Sequence, residues 1–292
     1  MGVYAGTELL EDKMDEPLVV VVTGASRGLG RGIARAFGSK GAIVYLTARA
    51  GHDALAEAAD EVRAAGGTAI AIPCDHRDDA QVATLFERVR AEAGRLDILV
   101  NNAAAIYPDL LLAPGGFWEK PLRLVDMIDV GLRSNYVASY YAAPLMIAAR
   151  HGLIASISFY GAVSYFHGAA YGAAKAGTDK MMFDMAVDLR PHGVSAVSIW
   201  PGFIRTEAVK AIPEDQVPRE LARLWPLFEE PEFTGLAIEA LYRDPGLAAL
   251  SGSALIGAEL GARYGILDLD GKQPVAFRQT MGSPARPFEN PA

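Results

Sequence analysis

The chain has 292 residues, 51% of them apolar and 9% aromatic, which suffices for a sizeable buried core in one large α/β domain or two small ones. Its 27 basic side chains against 35 acidic ones leave a formal charge of −8, excluding non-specific attraction to nucleic acid or an anionic membrane surface. There is no run of 18 apolar residues, no basic segment leading into an apolar one at the start, a single Cys74, and five histidines without metal-ligand spacing, so the expectations are a cytoplasmic protein with no membrane span, disulfide or metal.

Residues 1–17 carry Glu8, Glu11, Asp12, Asp15 and Glu16 without periodicity and read as a mobile leader. Leu18–Val22 is a continuous apolar run that enters a Gly-rich turn, followed by a helical pattern over Leu29–Lys40 that Gly41 ends. The cycle repeats with strand Ile43–Thr47, helix Ala54–Ala65, strand Thr68–Ile72, helix Ala80–Ala93 and strand Leu96–Val100. The pattern loosens through Pro108, Pro114, Gly115 and Gly116, then turns helical from about Pro121 to Ala149, in one piece or two. Strand Leu153–Ile157, a loop to Ala170, a helix to near Arg190 and strand Val194–Trp200 follow. Residues 203–233, punctuated by prolines, read as a substrate lid; helix Thr234–Tyr242, a short strand at Ala254–Ile256 and a tail over 266–292 complete the chain. Fully apolar strands alternating with helices predict a single Rossmann-type doubly wound domain over 18–265, its parallel sheet of about seven strands flanked by helices on both faces.

Between the first strand and its helix, Gly24, Gly28 and Gly30 let the backbone turn tightly and approach a pyrophosphate, whose charge the helix N-terminus stabilises. Ser26, Arg27 and Leu29 fill the same turn; the alternative is a purely structural one. In such folds the tip of the second strand meets the adenosine ribose, where an acid would select a free 2′-hydroxyl. Here that tip reads Leu46-Thr47-Ala48-Arg49, and Arg49 with Arg27 suits a 2′-phosphate, favouring NADP(H) over NAD(H) unless both are simply solvated surface arginines. Asp75, just past the third strand, is a candidate acceptor for the adenine amine or an ordinary turn residue.

Tyr171 and Lys175 stand four residues apart on a predicted helix and therefore share a face, with Ser158 upstream. At an effective dielectric of about 20 and a separation of roughly 5 Å, the ammonium would favour the phenolate by about 3 kcal/mol, or some two pKa units. That assigns Tyr171 as a general acid, Lys175 as the group lowering its pKa, and Ser158 as the hydroxyl holding a carbonyl oxygen.

With these residues in place, the chain resembles the short-chain dehydrogenase/reductase family over about residues 18–260. Thr23–Gly30 is similar to its TGxxxGxG motif, Asn101-Asn102-Ala103 to the start of its NNAG stretch, Ser158, Tyr171 and Lys175 to its catalytic trio, and Pro201-Gly202 with Thr206 to the element ending its sixth strand. The resemblance implies that Ile204 and Thr206 contact the nicotinamide carboxamide and a nearby phosphate, that Lys175 also holds the nicotinamide ribose, and that Asn102 and Ala103 border the adenosine. Phe117-Trp118-Glu119, Val130-Gly131-Leu132-Arg133 and Ala262-Arg263-Tyr264-Gly265 further resemble the dehydrogenase/reductase member 1 subgroup, which implies reduction of lipophilic ketones and a homodimer or homotetramer. Two departures stand out. Ala104 replaces the Gly of NNAG, and Gly131 occupies the place of the family's catalytic Asn, with Asn135 one turn later as a candidate replacement or a plain polar helix residue.

Apolar and aromatic residues of the expected lid, Phe203, Ile212, Leu221, Leu224, Trp225, Leu227 and Phe228, and of the loop before Tyr171, including Phe159, Tyr160 and Phe166, favour a lipophilic small-molecule ketone or aldehyde; ordinary core packing or a subunit contact is the alternative. His167 reads as a surface loop residue. The competing function, prompted by Gly131, is a nucleotide-binding scaffold or redox sensor without turnover. Enoyl reduction is disfavoured because relatives of that kind space Tyr and Lys more widely.

Overall fold

The computed structural model describes residues 16–49, 53–107, 114–213, 217, 222–287 and 289. Most of the expected leader, together with Pro108 and Leu221, lies outside the described residues. Seven parallel strands form one sheet in the order β3-β2-β1-β4-β5-β6-β7. They are β1 (Val19–Val22), β2 (Ile43–Ala48), β3 (Thr68–Pro73), β4 (Ile98–Asn101), β5 (Gly152–Ile157), β6 (Val194–Trp200) and β7 (Ala254–Ile256). The expected doubly wound α/β architecture is therefore the observed one.

Burial on both faces explains the all-valine first strand. Val20 and Val22 pack into one layer with Ile33 and Phe37 of α1 (Gly28–Gly38), while Val19 and Val21 pack into the other with Val82 and Phe86 of α3 (Asp79–Ala93). Successive side chains of a strand point to opposite faces, so a strand covered on both sides shows no polar alternation. The first layer also receives Leu55 and Val62 from α2 (Ala54–Ala64). The second receives Leu145 and Met146 from α4 (Ser134–Ala149) and Met182 from α5 (Ala169–Leu189). Each such large side chain contributes about 1.5–3 kcal/mol when fully buried.

The predicted helix over 121–149 is broken. A 3₁₀ turn at Leu122–Val125 and a short α segment at Asp126–Ile128 lead into a wide turn at Asp129–Arg133, and only then does α4 run regularly. At the break Val130 leaves the helical region (φ −115°, ψ 92°) and Gly131 takes φ +145°, a conformation that side chains rarely adopt.

Two further boundaries move. After a four-residue helix α6 (Glu207–Lys210), α7 (Pro231–Arg243) begins at Pro231 rather than Thr234, so the last residues of the expected lid belong to a core helix, Phe233 being fully buried. Proline is favoured at a first helical position because its missing N–H would have no partner there. After α8 (Leu247–Leu250), β7 and α9 (Gly257–Tyr264), the expected tail folds back and buries Phe277 just before a final turn, α10 (Arg278–Met281).

Helices α1 and α7 meet through small residues. A Cβ at Gly235 would come within 2.6 Å of the Ala36 Cβ and 2.9 Å of the Ile33 Cα. Since α1 carries the glycine turn at its N-terminus, this contact fixes the turn's height above the sheet. Gly235→Val should destabilise the protein by about 1–3 kcal/mol through overpacking, read as a lower urea midpoint.

Candidate active site

The carboxyl ends of β1, β4, β5 and β6 converge at one edge of the sheet, the usual place for a site in an open parallel sheet. Thr23 ties the first two together: its N–H donates to the Val100 carbonyl at 3.0 Å, and its hydroxyl accepts from the N–H groups of Asn102 and Ala103, both at 2.9 Å. The Asn102 amide donates to the carbonyls of Thr23 (2.9 Å) and Gly24 (3.1 Å), so it braces the turn from beneath. Gly24 has φ +66°, and a Cβ there would lie 2.8 Å from the Ala103 Cα. A Cβ at Gly30 would lie 2.5 Å from the Gly24 carbonyl oxygen. Only glycine fits these two positions, and the turn presents bare backbone at the start of α1, as a dinucleotide cradle requires. The Gly28 N–H donates to the Glu207 carboxylate at 2.9 Å, so the chain's own acid stands at this anion-attracting end.

Around the cradle, Arg27 and Arg49 are exposed, and their side chains make no hydrogen bond or ion pair among the described residues. Asp75 accepts from the Arg77 N–H at 3.0 Å in a local turn. On the opposite side, the Gly202 N–H donates to the Glu229 carboxyl at 3.1 Å, and the Thr234 hydroxyl reaches the same oxygen at 3.4 Å. Backbone bonds from Glu229 N–H to the Phe203 carbonyl and from Arg205 N–H to the Glu229 carbonyl, both 2.8 Å, hold Pro201–Ile204 against the start of α7. Thr206 then caps α6. Burial pushes the Glu229 carboxyl up to about 8.

Ser158, Tyr171 and Lys175 come together as expected. The Lys175 ammonium donates to the Ile157 carbonyl at 3.0 Å and lies 5.5 Å from the centre of the Tyr171 ring. The Ser158 hydroxyl donates to the Lys175 carbonyl at 3.1 Å, and its N–H to the Ile199 carbonyl at 2.8 Å, which fixes the end of β5 to both α5 and β6. The expected fall in the Tyr171 pKa is not observed: burial pushes the phenol up from its ordinary value. The ammonium is itself buried, which lowers it to about 8, and it addresses a carbonyl and the ring rather than the hydroxyl. Desolvation of both groups therefore outweighs their mutual attraction.

Asn135 does not present its amide to this trio. It is buried, and its Nδ2 donates back to the Gly131 carbonyl at 2.8 Å, which also accepts from the Thr178 hydroxyl at 3.3 Å. Both bonds hold the wide turn closed. His167 is also not a plain surface residue: its ring stands edge-on to Tyr171 with centroids 5.2 Å apart, and burial pushes its pKa down.

An aromatic wall rises beside Tyr171. Phe166 lies 6.0 Å and Phe159 6.5 Å from its ring, Phe203 contacts both, and Phe228 stacks on Phe203 at 5.4 Å. Phe277, from the segment expected to be a tail, completes it: its N–H donates to the Tyr160 hydroxyl at 2.9 Å and its ring meets Phe203 at 5.1 Å. Leu224, Leu227, Val275 and Phe277 line an adjoining cleft of about 520 Å³. Sequence reasoning missed Glu207, Glu229 and Phe277, which reach the site only through the fold. It also missed Asp179, whose place one turn beyond Lys175 was a readable signal.

The fold and the composition of this site define a nicotinamide-dependent oxidoreductase, and the chain belongs to the short-chain dehydrogenase family, whose profile matches residues 18–217. It is 42% identical over 274 residues, covering 90% of this chain and 87% of the relative, to dehydrogenase/reductase SDR family member 1 of Mus musculus. The human protein of the same name is also 42% identical, over 87% of this chain and 84% of its own length. Among solved structures, an actinorhodin polyketide ketoreductase variant with NADPH superposes with a TM-score of 0.70 at 27% identity, over 82% of this chain and 95% of that one. A Serratia marcescens short-chain dehydrogenase/reductase superposes with a TM-score of 0.68 at 31% identity, with the same coverage. Among the described residues no helix is long and apolar enough to cross a membrane.

Glu229 makes stability depend on pH. Because its folded pKa of about 8 lies above the ordinary 4.5, the native state binds the extra proton between these values, and the contribution present below pH 4.5 is lost as pH rises through 8. Glu229→Gln should flatten that decline, measured as thermal midpoint against pH.

Proposed function

We propose that this protein is an NADP(H)-dependent oxidoreductase that interconverts a lipophilic ketone or aldehyde with its alcohol. The observation that carries the reading is the joint enclosure of Ser158, Tyr171 and Lys175 at the end of β5, beneath an aromatic wall. The glycine turn fits the pyrophosphate of a dinucleotide, since Gly24 and Gly30 leave no room for side chains. Leu29, Ser26, Asn102 and Ala103 flank it, Asp75 retains an oxygen for the adenine amine, and Pro201, Gly202, Ile204 and Thr206 form the nicotinamide side. Arg27 and Arg49 support NADP(H): neither guanidinium has a partner among the described residues, which suits them to fork onto a 2′-phosphate, and the strand tip Leu46-Thr47-Ala48-Arg49 carries no acid.

When bound, the cofactor supplies or accepts a hydride. Ser158 orients the carbonyl oxygen, and Tyr171 gives that oxygen its proton as the carbon is reduced, regaining it from solvent; the reverse sequence oxidises the alcohol. A phenol held above its ordinary pKa keeps its proton at neutral pH, which suits the reducing direction. Lys175 steadies the Tyr171 ring and holds the nicotinamide ribose. Phe159, Phe166, Phe203 and Phe277 offer an apolar bed for the substrate body. The same reading has the protein working in the cytoplasm as a homodimer or homotetramer. Tyr136 and Tyr140, exposed one turn apart on α4, supply an apolar face for such a contact.

Tyr171→Phe should lower ketone reduction by about 10²–10⁴-fold while NADPH binding persists, measured by absorbance at 340 nm and by fluorescence titration. Loss of binding, or retained turnover, would count against the assignment. Replacing Arg27 and Arg49 together by Ala should reduce the kcat/KM preference for NADPH over NADH by about 10–100-fold, through NADPH alone.

A further inference from the structure

Tyr171, Lys175 and Asp179 follow one another at intervals of four on α5 and so share one face of the helix, with about 6 Å of rise between each pair. Asp179 is turned inward onto the sheet. Its carboxylate accepts from the Ser198 hydroxyl at 2.7 Å and from the Trp200 indole N–H at 3.1 Å to each oxygen. The Ser158 hydroxyl also lies close enough to favour its charged form. From β6 the groups facing it are therefore neutral donors, Ser198 and Trp200, while the nearby Ser158 hydroxyl gives its proton to the Lys175 carbonyl. Among the described residues, Lys175 is the charge that favours its ionised form, and Asp179 does the same for Lys175. A buried carboxylate is costly to place unless donors or an opposite charge answer it, and Asp179 has its donors on β6 and an ammonium one turn away.

We propose that Asp179 is a positioning residue of the active site: its carboxylate, one turn along α5 from Lys175, keeps that ammonium charged where it meets the Ile157 carbonyl and the Tyr171 ring. Lys175 alone would be a desolvated ammonium facing one carbonyl and one ring, and burial draws it down to about 8 even with Asp179 beside it. Asp179 opposes that fall, so Lys175 stays protonated through the neutral range and able to hold both the Tyr171 ring and a ribose hydroxyl. The Trp200 and Ser198 bonds hold the carboxylate on the inner side of the helix and oppose the upward push that burial gives its pKa.

The proposal rests on the functional reading above, and its test separates the two. NADPH binding by fluorescence and ketone reduction at 340 nm are measured from pH 6 to 10 for the wild type, Asp179→Asn and Asp179→Glu. In Asp179→Asn the loss of binding and of kcat/KM on the alkaline side should set in about one pH unit lower than in the wild type, as expected for removal of a nearby opposite charge. Activity should recover on returning to low pH, and Asp179→Glu should restore the wild-type limb. A uniform loss at every pH, with the limb unmoved, overturns the proposal. Asp179→Ser carries the same expectation where the amide variant does not fold, and failure of both to fold overturns it in favour of a purely structural role. Competitive acetylation of Lys175 with acetic anhydride, read by peptide mass spectrometry across the same range, follows its ionisation without cofactor or substrate. A wild type that binds no NADPH therefore overturns the functional reading, while the labelling curves of wild type and Asp179→Asn still decide the role of Asp179: separated curves support it and coincident curves overturn it.

Discussion

The burial of one ammonium, that of Lys175, is the constraint around which the site is arranged. An unpartnered charge in an apolar setting loses its hydration and tends to neutralise, so its neighbours decide whether it survives. Here the carbonyl of Ile157 takes one proton at 3.0 Å, the Tyr171 ring covers one side, and Asp179 stands a turn away as the counter-charge. Each of these depends on larger features. The end of β5 is held by the Ser158 N–H bond to Ile199 on β6, and Asp179 is drawn inward by donors from β6. The sheet's central pairing and the ionisation of one lysine are thus parts of one arrangement.

The cofactor side follows a different logic, in which absence of side chains matters more than their presence. Thr23 and Asn102 use their polar groups on the backbone of the turn, leaving Gly24 and Gly30 pressed against it. The turn is braced from below by these bonds, and its glycines place no side chain over the backbone. The Gly28 N–H meanwhile meets Glu207, a carboxylate offering the kind of charge that a phosphate would bring. The first residues of α6 and the cradle are therefore coupled across the cleft.

Gly131 shows how a local departure is absorbed. Its φ of +145° would strain any side chain, and its carbonyl lies buried within the wide turn. Asn135 and Thr178 both donate to that carbonyl. The residue that looked like a replacement catalytic group is instead occupied in keeping the turn closed, because a buried carbonyl without donors would cost more than a relocated amide gains.

The strands along the chain and the glycine turn were legible because each depends on local physics: continuous apolar runs mark strands covered on both faces, and close backbone approach admits only glycine. Tyr171 and Lys175 were legible together because helical spacing alone places them on one face, and the same spacing extends to Asp179. The direction of the Tyr171 pKa was not, since attraction at a fixed distance can be estimated from spacing whereas desolvation depends on what covers the pair. Nor could spacing place Phe277 against Tyr160, Glu229 under Gly202 or Glu207 at Gly28, contacts separated by 117, 27 and 179 residues. The sequence by itself determined the local conformations and the chemistry carried on each element. Tertiary structure alone decided which groups lose water together, because burial belongs to the packed assembly of elements and not to any one of them.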